Sequence, residues 1–234
     1  MTSILESVEW GERALSLLTR CLELENGNPA VMIIRHSEVD YQTMEDLPVA
    51  TLTETGKAAA LEFGTKLPSD RSYRIYHSTF DRAKKTAENI VKGLDNIGVE
   101  VELYGEHPEF NMSGNRDRIV EFIWDSTQRN RRWVHDWFSG RLSPSIFPPS
   151  LETAKAAAAV MIHNLQDAGP ETFDVYACHA EMVLLFMFHW LGEIPERRWA
   201  RYLNGFVLQL SDDSIVWFDG DRRKEVLYPH WWNF

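Results

Sequence analysis

Ala30-Val31-Met32-Ile33-Ile34, followed at once by Arg35-His36-Ser37-Glu38, is the stretch on which the fold turns. Five consecutive apolar residues, short and β-prone, read as a strand buried on both faces, because a half-exposed strand would alternate apolar with polar. Pro29 closes the region before it, and residues 4 to 24 carry Leu5, Val8, Leu15, Leu18, Cys21 and Leu22 at helical spacing, predicting an N-terminal helix. After the strand, Thr53 to Leu67 reads as a helix, Tyr73 to His77 as a second strand and Phe80 to Leu94 as a second helix. Val99 to Leu103 alternates like a third strand. Leu151 to Leu165 is helical, Phe173 to Cys178 reads as a fourth strand, and Glu181 to Leu191 as a strongly apolar helix. Phe206 to Leu210 and Ile215 to Phe218 flank Ser211-Asp212-Asp213-Ser214 as a closing hairpin. Strands alternating with helices predict an α/β fold with a mostly parallel sheet covered on both faces.

In such sheets reactive groups gather where the strands end. Arg35-His36 follows the first strand, His77 to Arg82 the second, and His179-Ala180-Glu181 the fourth. Two histidines, His36 and His179, and two arginines, Arg35 and Arg82, are thereby brought to one sheet edge from distant segments. Each alone reads as a surface charge or a hydrogen-bonded histidine. Together they suit one task. Guanidinium forks match phosphate oxygens and stay charged. Their potential lowers the pKa of a histidine between them and keeps a ring lone pair free to attack phosphorus. A second histidine can donate to the phosphoryl oxygens, and a carboxylic acid must protonate the leaving oxygen.

On these residues the chain resembles the histidine phosphatase (phosphoglycerate mutase-like) superfamily. Arg35-His36-Ser37-Glu38 is similar to its Arg-His-Gly signature, and Leu52-Thr53-Glu54-Thr55-Gly56 to its Leu-Thr-x-x-Gly helix. Ser78-Thr79-Phe80-Asp81-Arg82-Ala83 with Thr86-Ala87 is similar to Ser-x-x-x-Arg-Ala-x-x-Thr-Ala. Cys178-His179 corresponds to the second catalytic histidine, and Asn204-Gly205 to a late family feature. The resemblance implies a single domain over residues 1–234, a three-layer α/β/α sandwich with a cap inserted at about 106–150, and no metal or organic cofactor. It implies phosphomonoester hydrolysis on a small phosphorylated substrate through a phosphohistidine at His36, with Arg35, Arg82, His36 and His179 binding the phosphate.

Glu109 is the first candidate for the acid, by a loose likeness to a Leu-x-Glu-x-x-x-Gly context; Glu106 is second and Glu181 third, each equally readable as a solvated acid. Ser37 stands where the family has glycine, which would narrow the pocket or add a hydroxyl donor. That leaves a non-catalytic phosphate-binding protein as an alternative. Val39-Asp40-Tyr41-Gln42 lacks the Trp-Asn pair of the mutase branch, so hydrolysis is favoured over the alternative of a phosphoglycerate-type mutase.

The remaining composition sets limits. A net charge of −11 over 234 residues argues against nucleic acid and anionic membranes as partners, while a local arginine cluster can still hold a small phosphate. Cys21 and Cys178 make no disulfide framework, Met1 to Glu9 carries acids where a signal peptide would be apolar, and Met182 to Leu191 is too short to span a bilayer. A reducing, cytoplasmic setting is the expectation. No metal-binding motif or Gly-x-x-x-x-Gly-Lys loop is present. Arg116, Arg118, Arg129, Arg131, Arg132 and Arg141 form either a basic lip or, more simply, a solvated helix face. The aromatic tail from Tyr228 to Phe234 predicts core packing or a homodimer contact.

Overall fold

The computed structural model describes residues 3–41, 43, 46–112, 119, 122, 133–194 and 199–232. Its strands are β1 (Ala30–Arg35), β2 (Ser72–His77), β3 (Val101–Glu106), β4 (Thr172–Cys178), β5 (Gly205–Leu210), β6 (Ser214–Phe218) and β7 (Arg223–Leu227). They form one sheet in the order β3-β2-β4-β1-β5-β6-β7. The α/β expectation holds. The mostly parallel expectation holds for one side only: β3, β2, β4 and β1 are parallel, whereas β5, β6 and β7 run antiparallel to their neighbours. The hairpin β5–β6 falls where the alternation places it, but β7 was missed. Its Arg-Lys-Glu-Val-Leu sequence is a charged, exposed edge strand with little apolar signal.

The helices are α1 (Ile4–Ser7), α2 (Gly11–Cys21), α3 (Glu54–Thr65), α4 (Asp81–Asn96), α5 (Trp133–Phe138), α6 (Ser150–Gln166) and α7 (Ala180–Leu191). The single N-terminal helix predicted over residues 4 to 24 is thus two, broken at Val8-Glu9-Trp10. The β1 side chains show why the apolar run was uninterrupted. Val31 and Ile33 join a core shared with α5, α6 and α7; Ala30, Met32 and Ile34 join a second core with α2, α3 and α4. Both faces of β1 are covered, so neither of its faces can accept a polar side chain without loss of apolar burial. Trp232 and part of the aromatic tail pack onto the first core, against Trp190. Among the described residues, no helix is long and apolar enough to cross a membrane.

On the second face α3 and α4 touch backbone to backbone. A Cβ on Gly93 would lie 2.2 Å from the Leu61 carbonyl oxygen and 2.9 Å from the Gly64 Cα. Helix propensity alone favours alanine at Gly93 by about 1 kcal/mol. Here the neighbour is a carbonyl that cannot swing aside, so overpacking wins. Gly93→Ala should destabilise the protein by about 1–3 kcal/mol, read as a lowered midpoint in denaturant unfolding; a raised midpoint would refute the close approach.

Candidate active site

The parallel register aligns the ends of the central strands. Arg35 lies opposite Cys178 across β1–β4, and His77 opposite Ala177 across β2–β4. The His36 N–H donates to the Cys178 carbonyl at 2.8 Å, and the Ser78 N–H to the Ala177 carbonyl at 3.0 Å. These bonds carry the ladder one residue past the strands, so His36, Ser78 and His179 leave the sheet side by side.

The two imidazole centroids are 5.4 Å apart, and the guanidinium of Arg82 joins them. Its Nε donates to His36 Nε2 at 3.1 Å, its Nη2 faces His179 Nδ1 at 3.3 Å, and its Nη1 donates to the Leu47 carbonyl at 2.9 Å. Arginine can only donate, which fixes both tautomers. His36 keeps its lone pair on Nε2 and donates from Nδ1 to the Ser37 carbonyl at 2.7 Å. His179 accepts on Nδ1 and donates from Nε2 to Ser78 Oγ at 2.8 Å. Phe80 completes this side: Arg82 lies over its ring at 4.3 Å, and its edge meets His179 at 5.0 Å.

Arg35 approaches from the other side. Its Nη1 donates to the Ala200 carbonyl at 3.0 Å and its guanidinium lies 4.1 Å over the Tyr202 ring. Leu203 is the non-glycine residue with positive φ (52°) among the described residues, a conformation costing about 1–2 kcal/mol. It is held by reciprocal bonds, Leu203 N–H to the Arg35 carbonyl at 3.1 Å and Arg35 N–H to the Asn204 carbonyl at 3.0 Å.

His36 and His179 are almost wholly buried. Burial first, then the charges of Arg35, His179 and Arg82, holds His36 well below the ordinary histidine range. Burial, Arg82 and Arg35 do the same to His179. Both imidazoles are neutral at neutral pH, and His36 Nε2 offers a lone pair beside an arginine fork. The four groups expected at one edge do converge.

The carboxylates divide. Glu106 ends β3 and is exposed. Glu109 sits in the single turn Pro108–Phe110 after β3, with Oε2 buried, 3.7 Å from His107 Nδ1 and without a hydrogen-bond partner among the described residues. Asn111 Nδ2 donates to Thr79 Oγ1 at 3.0 Å, tying that turn to the loop that delivers Phe80. Glu181, in the first turn of α7, has its carboxyl pKa raised by burial, against the lowering pull of its own N–H, Arg82 and Arg35. The least favoured acid in the sequence is thus the one within the field of the two arginines.

Ser37 does not narrow the pocket. Its hydroxyl turns into the protein and donates to the Gly56 carbonyl at 2.8 Å, while its N–H donates to Thr86 Oγ1 at 2.9 Å. His77 bonds the Ser78 carbonyl at 2.8 Å. Arg141 pairs with Asp136, the solvated reading; Arg116, Arg118, Arg129, Arg131 and Arg132 lie outside the described residues. Ser78, Phe80 and Tyr202 were missed as site residues. Ser78 was within a quoted motif, whereas Tyr202 carries no signal beyond standing two residues before Asn204. A cavity of about 270 Å³ opens between Val183, Leu184, Met187, Ala200, Asn204 and Gly205, and neither histidine nor Arg35 nor Arg82 lines it. Among the described residues no three or more His, Cys, Asp or Glu side chains gather as metal ligands.

The model of the histidine phosphatase superfamily (branch 1) matches residues 31–224. No curated protein matches the chain significantly. Among solved structures the fold is similar to mycobacterial hydrolase 1 (17% identity, TM-score 0.55, 86% of this chain and 98% of that one). It is similar to a mycobacterial glucosyl-3-phosphoglycerate phosphatase (18%, 0.53, 85% and 96%). It is also similar to a phosphoglycerate mutase from Bacillus anthracis str. Sterne (13%, 0.56, 85% and 96%).

The Ser37 hydroxyl bond, fully buried, gives a direct check. Ser37→Ala should lower stability by about 1 kcal/mol, a fall of roughly 2–4 °C in Tm for a chain of this size. An unchanged Tm would mean that the hydroxyl is dispensable.

Proposed function

The chain belongs to the histidine phosphatase superfamily, and we propose that it hydrolyses a small phosphomonoester through a phosphohistidine at His36. The observation that carries this reading is the state of His36: Nδ1 is committed to the Ser37 carbonyl, so Nε2 bears the lone pair and lies 3.1 Å from an Arg82 donor. A phosphoryl group entering there would exchange the Arg82–His36 bond for contacts with both arginines. Nε2 attacks phosphorus, the P–O bond to the leaving group breaks, and a carboxylic acid supplies the proton to that oxygen. Water then attacks phosphorus, forming a P–O bond as the P–N bond breaks; the electron pair of that bond returns to Nε2, and the carboxylate takes the proton from the water. Ser78 supports the partner ring. Its hydroxyl can accept from or donate to His179 Nε2, so His179 Nδ1 can present a proton to the phosphoryl oxygens once Arg82 turns to the substrate. The chemistry as written uses no metal or organic cofactor.

His36→Ala should reduce hydrolysis of p-nitrophenyl phosphate by at least about 10³-fold, and chelator should leave the wild-type rate unchanged. Activity persisting in His36→Ala would end this mechanism. Because His36 is needed neutral and its pKa is lowered, the acid limb of kcat/KM for the wild type should fall below 6.5, the ordinary histidine value.

Glu109 is the proposed leaving-group acid, supported by its place after β3 and by its buried Oε2, which faces His107 Nδ1 at 3.7 Å and accepts no hydrogen bond among the described residues. Glu181 is a second reading, favoured by its raised carboxyl pKa, which keeps a proton available. Glu109→Gln and Glu181→Gln separate them. The true acid should cost about 10²–10⁴-fold on an alkyl phosphate and much less on p-nitrophenyl phosphate, whose leaving group needs little protonation. Equal losses on both substrates would assign the residue to folding or binding instead.

A further inference from the structure

The family match begins at residue 31, and residues 3–28 lie ahead of it, yet they reach the pocket. Glu62 of α3 pins the first turn of α1: it accepts from Ser3 Oγ at 2.5 Å, Ile4 N–H at 2.6 Å and Leu5 N–H at 3.2 Å. The Gly11 N–H donates to the Val8 carbonyl at 3.0 Å, closing the α1–α2 corner, and a Cβ on Gly11 would overlap the Leu5 carbonyl oxygen at 1.9 Å. The corner delivers the buried side chain of Trp10.

Trp10 belongs to the second core, and from there its hydrogen bond and its ring contact both run toward the nucleophile. Its Nε1–H donates to Glu38 Oε1 at 3.0 Å, two residues beyond His36, while Thr53 Oγ1 donates to the other carboxylate oxygen at 2.7 Å. Its ring meets Tyr202 edge-on, centroids 5.4 Å apart and planes at 80°. The Tyr202 ring in turn carries the Arg35 guanidinium at 4.1 Å and lies 5.9 Å from the His36 ring. On the far side of the pocket the other arginine has a ring of its own, Phe80. An arginine lying over an aromatic face directs its N–H groups outward past the ring edge, and a braced ring fixes where the guanidinium sits.

We infer that Tyr202, braced by Trp10, is a positioning residue that holds the Arg35 guanidinium in the plane needed to bind a phosphoryl group. The N-terminal segment is on this reading part of the binding device, not a decoration on the fold. The strained Leu203 backbone fits the same purpose, since it turns the chain so that the residue before it faces Arg35. The inference rests on the proposed phosphate pocket, and it is tested without turnover so that the two can fail separately.

Inorganic phosphate is titrated into the full chain by calorimetry, for wild type, Tyr202→Phe, Tyr202→Leu, Trp10→Phe and Trp10→Leu, with Tm and the KM and kcat for p-nitrophenyl phosphate measured alongside. Tyr202→Leu should weaken phosphate binding and raise KM about tenfold with kcat within threefold, whereas Tyr202→Phe, which keeps the ring, should restore wild-type affinity. Trp10→Leu should weaken phosphate binding by about threefold to tenfold, and Trp10→Phe by less. Phosphate binding unchanged in Tyr202→Leu would overturn the inference. So would parallel loss of affinity and Tm in Tyr202→Phe and Tyr202→Leu, the mark of packing alone, or a wild type that binds no phosphate. Should Tyr202→Leu fail to fold, the same criteria apply to the Trp10 pair. A wild type that binds phosphate but hydrolyses nothing would refute the phosphatase reading and leave this comparison intact.

Discussion

The guanidinium of Arg82 spans the gap between two buried imidazoles, and the arrangement of the site depends on that bridge. One fork donates to His36 Nε2 and His179 Nδ1 while a third N–H reaches the Leu47 carbonyl. Because arginine cannot accept, each ring is left with its lone pair toward the pocket, and each must turn its own N–H outward, to a carbonyl or a hydroxyl. Burial, and after it the cationic neighbours, keep both rings uncharged. The protein as a whole carries −11, so this positive pocket is a local achievement of three strand ends and not a property of the surface.

The fold supplies the placement. β1 and β4 are neighbours although Arg35 and Cys178 stand far apart in the chain, and their register puts the two histidines one step beyond a shared pair. Neither core tolerates a shift in this register. Slipping β1 by one residue would exchange Val31 and Ile33 for Ala30, Met32 and Ile34 between the two cores, and these sets differ in size and shape. Thus the same apolar contacts that stabilise the sheet also fix the spacing of the reactive groups.

Much of this was legible in the sequence, and the physical reason is periodicity. Unbroken apolar runs at Ala30–Ile34 and Phe173–Cys178, and 3.6-residue spacing in the helices, report two-sided and one-sided burial directly. Strand direction is not encoded that way, so the β5–β6 hairpin was foreseen but the antiparallel pairing of β5 with β1 was not. Charged β7 gave no apolar signal. The break at Val8-Glu9-Trp10 lies inside a continuous helical pattern. In the site, His36, His179, Arg35 and Arg82 could be found because each follows a strand end. Ser37 stands out as a departure, but the direction of its hydroxyl, turned into α3, depends on the fold and has no local sequence pattern. Trp10 and Tyr202 act through contacts between segments about 190 residues apart, and no local pattern reports such a contact.

The antiparallel half of the sheet has a consequence of its own. β5 runs against β1, with Ile34 beside Gly205 and Ala30 beside Gln209, so its amino end lies at the edge where β1 and β4 finish. For a strand reversed in this way, the functional loop is the one that precedes it. Residues 199–204, which lead into β5, therefore share the rim with His36, Ser78 and His179, while the Ser211–Asp213 turn lies at the opposite end of the strand. Sequence change in this family member should thus be read with two rules, one for each strand direction. Inserting residues ahead of β5 remodels the pocket, and lengthening the turn behind it leaves the pocket alone.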